Sequence, residues 1–102
     1  MSKTGPIVYL CIMKISNSDI VRLTEIKQYL LEPPHSFKLY KESLQLIEES
    51  TAILAKYSFI EASFVDSFDV LKEEVREYEK DPVNLRSTLV KTGKLLGGLF
   101  NR

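Results

Sequence analysis

One cysteine, one histidine, four glycines and no tryptophan stand among 102 residues, and each shortage closes off a class of chemistry. A lone Cys11 cannot form an internal disulfide. Its place in an apolar run suits a small buried hydrophobe in a reducing, cytoplasmic setting. With His35 the only imidazole, and no C-x-x-C or H-x-x-x-H spacing, the four nitrogen and sulfur ligands of a structural zinc site are missing. Acidic residues form no D-x-D cluster beyond Asp66 and Asp69, so no magnesium pattern stands out. No cofactor is expected.

The glycines fall at Gly5, Gly93, Gly97 and Gly98. Gly93-Lys94 imitates a phosphate-binding loop, but that motif needs a glycine where Thr88 stands and a hydroxyl residue where Leu95 stands. No G-x-S-x-G elbow surrounds any serine. His35, between Pro34 and Ser36, reads as an exposed loop histidine near a helix start rather than a general base. With no recognisable nucleophile, metal or cofactor site, no enzyme is expected.

Excess charge is absent too. Fourteen basic residues balance fourteen acidic ones, which argues against a dedicated nucleic-acid binder and against a polybasic membrane protein. The distribution is uneven, however. Residues 61–81 hold eight acids against Lys72, Arg76 and Lys80, whereas residues 82–102 hold Arg86, Lys91, Lys94 and Arg102 with no acid. Two readings fit: a basic tail that meets an anionic lipid surface or partner, or two adjacent helices whose opposite fields compensate. No uncharged run reaches the roughly 20 residues of a membrane span. The apolar stretch 7–13 is followed at once by Lys14 and no cleavage site, so no signal peptide is read.

What is present is a run of ordered elements in a single domain, 1–102, with residues 1–5 as a lead-in. Pro6 precedes a β-branched apolar run at 7–15, which reads as a strand buried on both faces. Ser16-Asn17-Ser18-Asp19 caps a helix with the stripe Ile20, Leu23, Ile26 and Leu30, ended by Pro33-Pro34. Ser36 caps a second helix with the stripe Phe37, Tyr40, Leu44 and Ile47. Residues 51–65 are ambiguous, because alternation through Ile53, Ala55, Tyr57 and Phe59 permits a strand and the alanines permit a longer helix. Asp66 offers a cap for a third helix with the stripe Phe68, Leu71, Val75 and Tyr78. Asp81-Pro82 restarts a fourth, with Leu85, Leu89, Thr92, Leu96 and Leu99, ending near Gly97-Gly98.

The order suggests a duplication. A shift of 48 residues lays Tyr9 on Tyr57, Cys11 on Phe59 and Pro34 on Pro82; a shift of 49 lays Ile26 on Val75 and Tyr29 on Tyr78. Chance alignment of a common apolar alphabet is the competing account. The duplication favours a strand at 52–60 and an α/β fold of two strand-helix-helix units, 6–50 and 51–102, with two short strands covered by four helices. An all-α helical bundle is the alternative, and a homodimer could complete the small sheet.

In composition alone, rich in Ile, Leu, Lys, Glu and Tyr with two glutamines and one cysteine, the chain resembles the small orphan proteins of viruses infecting hyperthermophilic archaea. That resemblance implies a host cytoplasm and no particular activity. The function expected is a protein or peptide interaction module, binding between two similar lobes or at a strand edge, with Tyr9, Tyr29, Tyr57 and Tyr78 as candidate partner-binding residues. The alternative is a nucleic-acid or membrane-surface adaptor that uses the basic C-terminal segment.

Overall fold

The computed structural model of the chain describes residues 15–99, and four α-helices follow one another through them: α1 (Asn17–Leu31), α2 (Leu39–Ala55), α3 (Ala62–Glu77) and α4 (Pro82–Gly97). Short connections at 32–38, 56–61 and 78–81 turn each helix back on its predecessor, as in an up-and-down bundle. The pairings confirm the antiparallel sense. Arg22 near the start of α1 meets Glu49 late in α2, and Tyr29 near the end of α1 meets Glu42 early in α2.

Helix boundaries follow local chemistry. Ser16 is extended and its hydroxyl accepts from the Asp19 N–H at 3.2 Å, opening α1. Pro33 and Pro34 close it. Asp81 caps α4 by accepting from the Asn84 N–H at 3.2 Å, and Pro82 occupies the first turn, where its missing donor costs nothing. Asp81→Ala is expected to destabilise the protein by about 1 kcal/mol. A urea titration checks this, and an unchanged midpoint would show the cap to be idle.

The expected α/β fold is not what forms. Among the described residues there is no strand, and the architecture is the all-helical bundle. Residues 52–60, expected as a strand, divide instead between the last turn of α2 and the loop after it. The reason lies in which positions are buried. Leu39, Ser43, Ile47, Ser50 and Leu54 recur at spacings of four and three, so the helical stripe of α2 carries on through the ambiguous stretch. Ile53 and Leu54 are adjacent and both buried, which alternation forbids. Neither Gly nor Pro interrupts the run. The expected stripe of this helix is also rotated, because Phe37 lies outside it at 94% exposure. Likewise α3 begins at Ala62, so Asp66 sits within the helix and the cap position is Glu61, which makes no side-chain cap. The expected strand at 7–15 lies outside the described residues except for Ile15, which is buried.

The helix pairs also cross the expected boundary between units. The most extensive interfaces are α1 with α4 and α2 with α3, and the α1–α2 and α3–α4 contacts are smaller. Among the described residues the helices share one core rather than forming two similar lobes across a cleft. Leu23, Ile26, Leu30, Ile47, Leu54, Phe68, Val75, Leu89 and Leu96 form one core with contributions from every helix. Small residues set the spacing. Gly93 and Gly97 are buried on α4, and a Cβ at Gly93 would stand 3.0 Å from Leu31 Cδ2 and 3.1 Å from Leu30 Cβ. The backbone of α4 therefore rides directly on α1. Ser43, Ser50 and Thr92 are buried, and each donates to a carbonyl of its own helix at 2.8–3.0 Å, leaving no unmet hydroxyl in the core.

Candidate functional site

Each end of the bundle presents a distinct surface. At the end where α1 starts, Tyr57 follows directly on the last turn of α2 and ties two elements together. Its hydroxyl donates to Asp19 Oδ2 and accepts from the Ser16 N–H at 3.2 Å. Lys56 Nζ lies 2.7 Å from the same Asp19 oxygen. The Lys56 ammonium first, and the Tyr57 hydroxyl next, hold the Asp19 carboxyl below the usual aspartate range. Because the folded value is the lower one, this contribution to stability is present above the ordinary aspartate range and is lost as pH falls through the depressed value. Tyr57→Phe is expected to raise the Asp19 midpoint in an NMR carboxyl titration. An unmoved midpoint would mean that the hydroxyl does not act on Asp19.

Beside this latch lies an open cleft of about 240 Å³, lined by Leu54, Ala55, Tyr57, Ser58, Ile60, Ala62, Val65 and Asp66. Its walls are the end of α2, the α2–α3 loop and the first turn of α3. All but Ser58 and Asp66 of its side chains are apolar or aromatic.

The opposite end carries the loop 32–38 and the start of α4. Arg86 joins them, its Nη2 donating to the Pro33 carbonyl at 2.6 Å and Nη1 to the Pro34 carbonyl at 3.1 Å. Prolines cannot continue the helix, so their carbonyls are free to accept, and a guanidinium fork suits two of them in succession. These acceptors are neutral, so the Arg86 charge is not cancelled by this contact. Two apolar side chains stand out in water at this end: Phe37 at 94% and Val83 at 76% exposure. The Lys38 ammonium lies 5.9 Å from the Phe37 ring centroid. Val83, Ser87, Lys91 and Lys94 recur at spacings of four and three and are exposed, so they share the outward face of α4. Lys91 Nζ meets Glu74 of α3 at 3.1 Å, and Thr88 donates to the same carboxylate oxygen at 3.3 Å. Part of the basic field of α4 is therefore answered by acidic α3, and α4 itself bears no acid.

The expected tyrosines are placed apart. Tyr57 is at the latch end, whereas Tyr78 caps the other end of α3 and packs on the core. Tyr29 donates to Glu42 at 3.0 Å between α1 and α2, and burial, followed by that carboxylate, pushes its hydroxyl up to about 12. Tyr9 lies outside the described residues. Arg22 holds Glu49 by two bonds of 2.5 and 2.8 Å, which lowers the Glu49 carboxyl, although both partners are two-fifths exposed and the pair is worth at most about 1 kcal/mol. His35 is exposed in the loop, and Gly93-Lys94 lies within a helix rather than a loop. Among the described residues no cluster of three or more His, Cys, Asp or Glu is placed to hold a metal, and no helix is long and apolar enough to cross a membrane. Phe37 and Val83 were not singled out as site residues by the sequence. Phe37 instead lies in the turn at 37–38, immediately ahead of the helix that starts at Leu39.

Comparison with protein-family models, curated proteins and solved structures finds no match to this chain.

Proposed function

We propose that this protein is a non-catalytic adaptor that docks on an anionic membrane surface, using the outward face of α4 and the loop that Arg86 fixes to it. The observation that carries the reading is the exposure of Phe37 and Val83 at one end of an acid-free helix. Aromatic and aliphatic side chains standing in water beside cations supply the two signals that reversible membrane binding needs, apolar insertion and electrostatic attraction.

The magnitudes suit a weak attachment. Each Lys or Arg near an anionic leaflet contributes about 1 kcal/mol, so Arg86, Lys91 and Lys94 together supply about 3 kcal/mol. Burying the Phe37 ring adds about 2 kcal/mol. The pairing of Lys91 with Glu74 reduces the first figure. The apolar contribution favours a lipid surface over nucleic acid, which offers phosphates but no place for an exposed Val83. The likeness of composition to viral orphan proteins fits a small adaptor in a host cell but does not carry the reading.

Co-sedimentation with vesicles tests it. Vesicles containing one-third phosphatidylserine are expected to bind the protein at low salt and to release it by 0.5 M salt, with pure phosphatidylcholine vesicles binding at least tenfold more weakly. Phe37→Asp and Lys94→Glu should each weaken binding about tenfold or more while leaving the thermal melt in place. Failure to bind anionic vesicles, or preferential capture of DNA or RNA oligonucleotides, overturns the proposal.

A further inference from the structure

The two ends of the bundle are complementary in shape and in charge. At one end the Phe37 ring stands in water at 94% exposure. At the other, the cleft beside Tyr57 is open. Leu54, Ile60 and Val65 line it with apolar surface, while Ala55 on the last turn of α2 and Ala62 on the first turn of α3 stop at a methyl and leave the space unfilled. A cavity of about 150 Å³ takes one benzene ring, so a cleft of about 240 Å³ receives a phenyl side chain. The charges match as well. Asp66 lines the cleft and is exposed, and among the described residues no hydrogen bond or ion pair holds its carboxylate. The Lys38 ammonium lies 5.9 Å from the Phe37 ring centroid, so the ring travels with a cation beside it.

Phe37 is out of reach of the cleft in its own chain. The 17 residues of α2 lie between them, and at about 1.5 Å per residue they hold the two ends about 25 Å apart. We propose that the cleft is filled by Phe37 of a second copy, with Lys38 of that copy set against Asp66, and that the protein self-associates through this contact. The two halves of the contact are unlike surfaces, so a joined copy still has one of each to offer until the assembly closes on itself. One ring and one ion pair make a contact at the small end of interfaces, so the joint is weak and reversible. A ring docked in a neighbour's cleft is not free to enter a membrane. The contact therefore competes with a lipid surface for the same side chain, and it does not depend on the membrane reading.

Sedimentation equilibrium of the full chain tests it, with two variants that each remove one half of the contact. Phe37→Asp removes the ring. Ala55→Arg fills the cleft from an exposed position on its wall and sets a cation against Lys38. The average mass of the parent is expected to rise at least to that of a dimer as its concentration approaches about 1 mM. Each variant alone should stay monomeric with its thermal melt in place. An equal mixture of the two should reach the mass of one pair and stop there, because only one intact ring and one intact cleft remain between them. Should Ala55→Arg fail to fold, Ala62→Arg, exposed on the α3 side of the cleft, takes its place. A parent that stays monomeric, a variant that still associates alone, or a mixture that stays monomeric overturns the proposal. Ala55→Arg leaves Phe37 and α4 intact, so its binding to anionic vesicles is expected to persist, and that readout separates failure of this contact from failure of the membrane reading.

Discussion

Phe68→Ala is expected to cost about 4 kcal/mol of folding stability, the upper part of the range for emptying a fully enclosed aromatic site. Phe68 has no exposed surface. It lies on α3 within the core to which all four helices contribute, and Phe64, one turn earlier, meets its ring edge-on at a centroid distance of 5.4 Å. Truncation removes the ring's contacts and that edge-to-face pair at once, and the helices around the site are held in place by their other contacts, so little collapse relieves the void. For a domain of this length, 4 kcal/mol is a large share of the 5–15 kcal/mol that such folds possess. It should lower the melting temperature by about 20 °C. Calorimetry decides the matter. A loss below about 1 kcal/mol would mean that Phe68 does not sit at the centre of the bundle.

The second large effect comes from adding atoms rather than removing them. Gly93→Val puts a branched side chain where even a single Cβ would stand 3.0 Å from Leu31 and 3.1 Å from Leu30. The neighbour at 3.1 Å is the Cβ of Leu30, which cannot swing aside without its helix. The α1–α4 interface must open or shift, at an expected cost of about 3 kcal/mol. Gly98→Ala is the control. Gly98 sits at the helix end with φ of −59°, an ordinary right-handed conformation, so alanine there should change stability by less than about 1 kcal/mol. Comparable melts for Gly93→Val and the parent protein would show that α4 does not lie as close to α1 as the structure has it.

These two positions show how differently the sequence reveals its parts. Phe68, Leu71 and Val75 keep helical spacing on a segment without competing signals, and Leu23, Ile26 and Leu30 do the same between a serine cap and two prolines, so both core stripes are readable without coordinates. The Asp81-Pro82 start is equally plain, because cap and ring act locally. Residues 51–60 are not, since Ile53, Ala55, Tyr57 and Phe59 satisfy a period of two as far as composition goes. What decides between strand and helix is that Ser43 and Ser50 are buried, and small polar residues do not announce a core face. Their hydroxyls are satisfied by their own helix, which removes the cost that would normally keep them outside. Gly93 misleads in the same way. Its neighbours spell a phosphate loop in part, while its actual use is to let a neighbouring helix approach. Alignment of Tyr9 with Tyr57 and Cys11 with Phe59 adds a second misleading cue toward a strand at 52–60, where α2 in fact runs on to Ala55.

The candidate surfaces were less legible still. Arg86 reads as one base among four in a basic tail, yet its part in the fold is to hold two proline carbonyls 52 and 53 residues earlier in the chain. Tyr57 looks like the partner of Tyr9 in a repeat, and the structure instead joins it to Asp19 and Ser16 across 38 and 41 residues. Pairings over such separations depend on how helices are stacked, and periodicity along one helix does not encode that. The opposed charges of residues 61–81 and 82–102 were the exception, since the Glu74–Lys91 contact realises the compensation that adjacency suggests.

The nesting of the helix pairs has a consequence for how the chain assembles. The α2–α3 hairpin closes across a six-residue loop, so it can form early and locally. The α1–α4 seam joins the first helix described to the last, and no shorter segment can substitute for it. During synthesis the Gly93 face emerges after the other three described helices, and until it arrives Leu30 and Leu31 lack the α4 backbone they pack against. The described bundle therefore waits on α4 for its most extensive seam, and a chain stopped before Pro82 would expose the flank of α1 to chaperones and proteases.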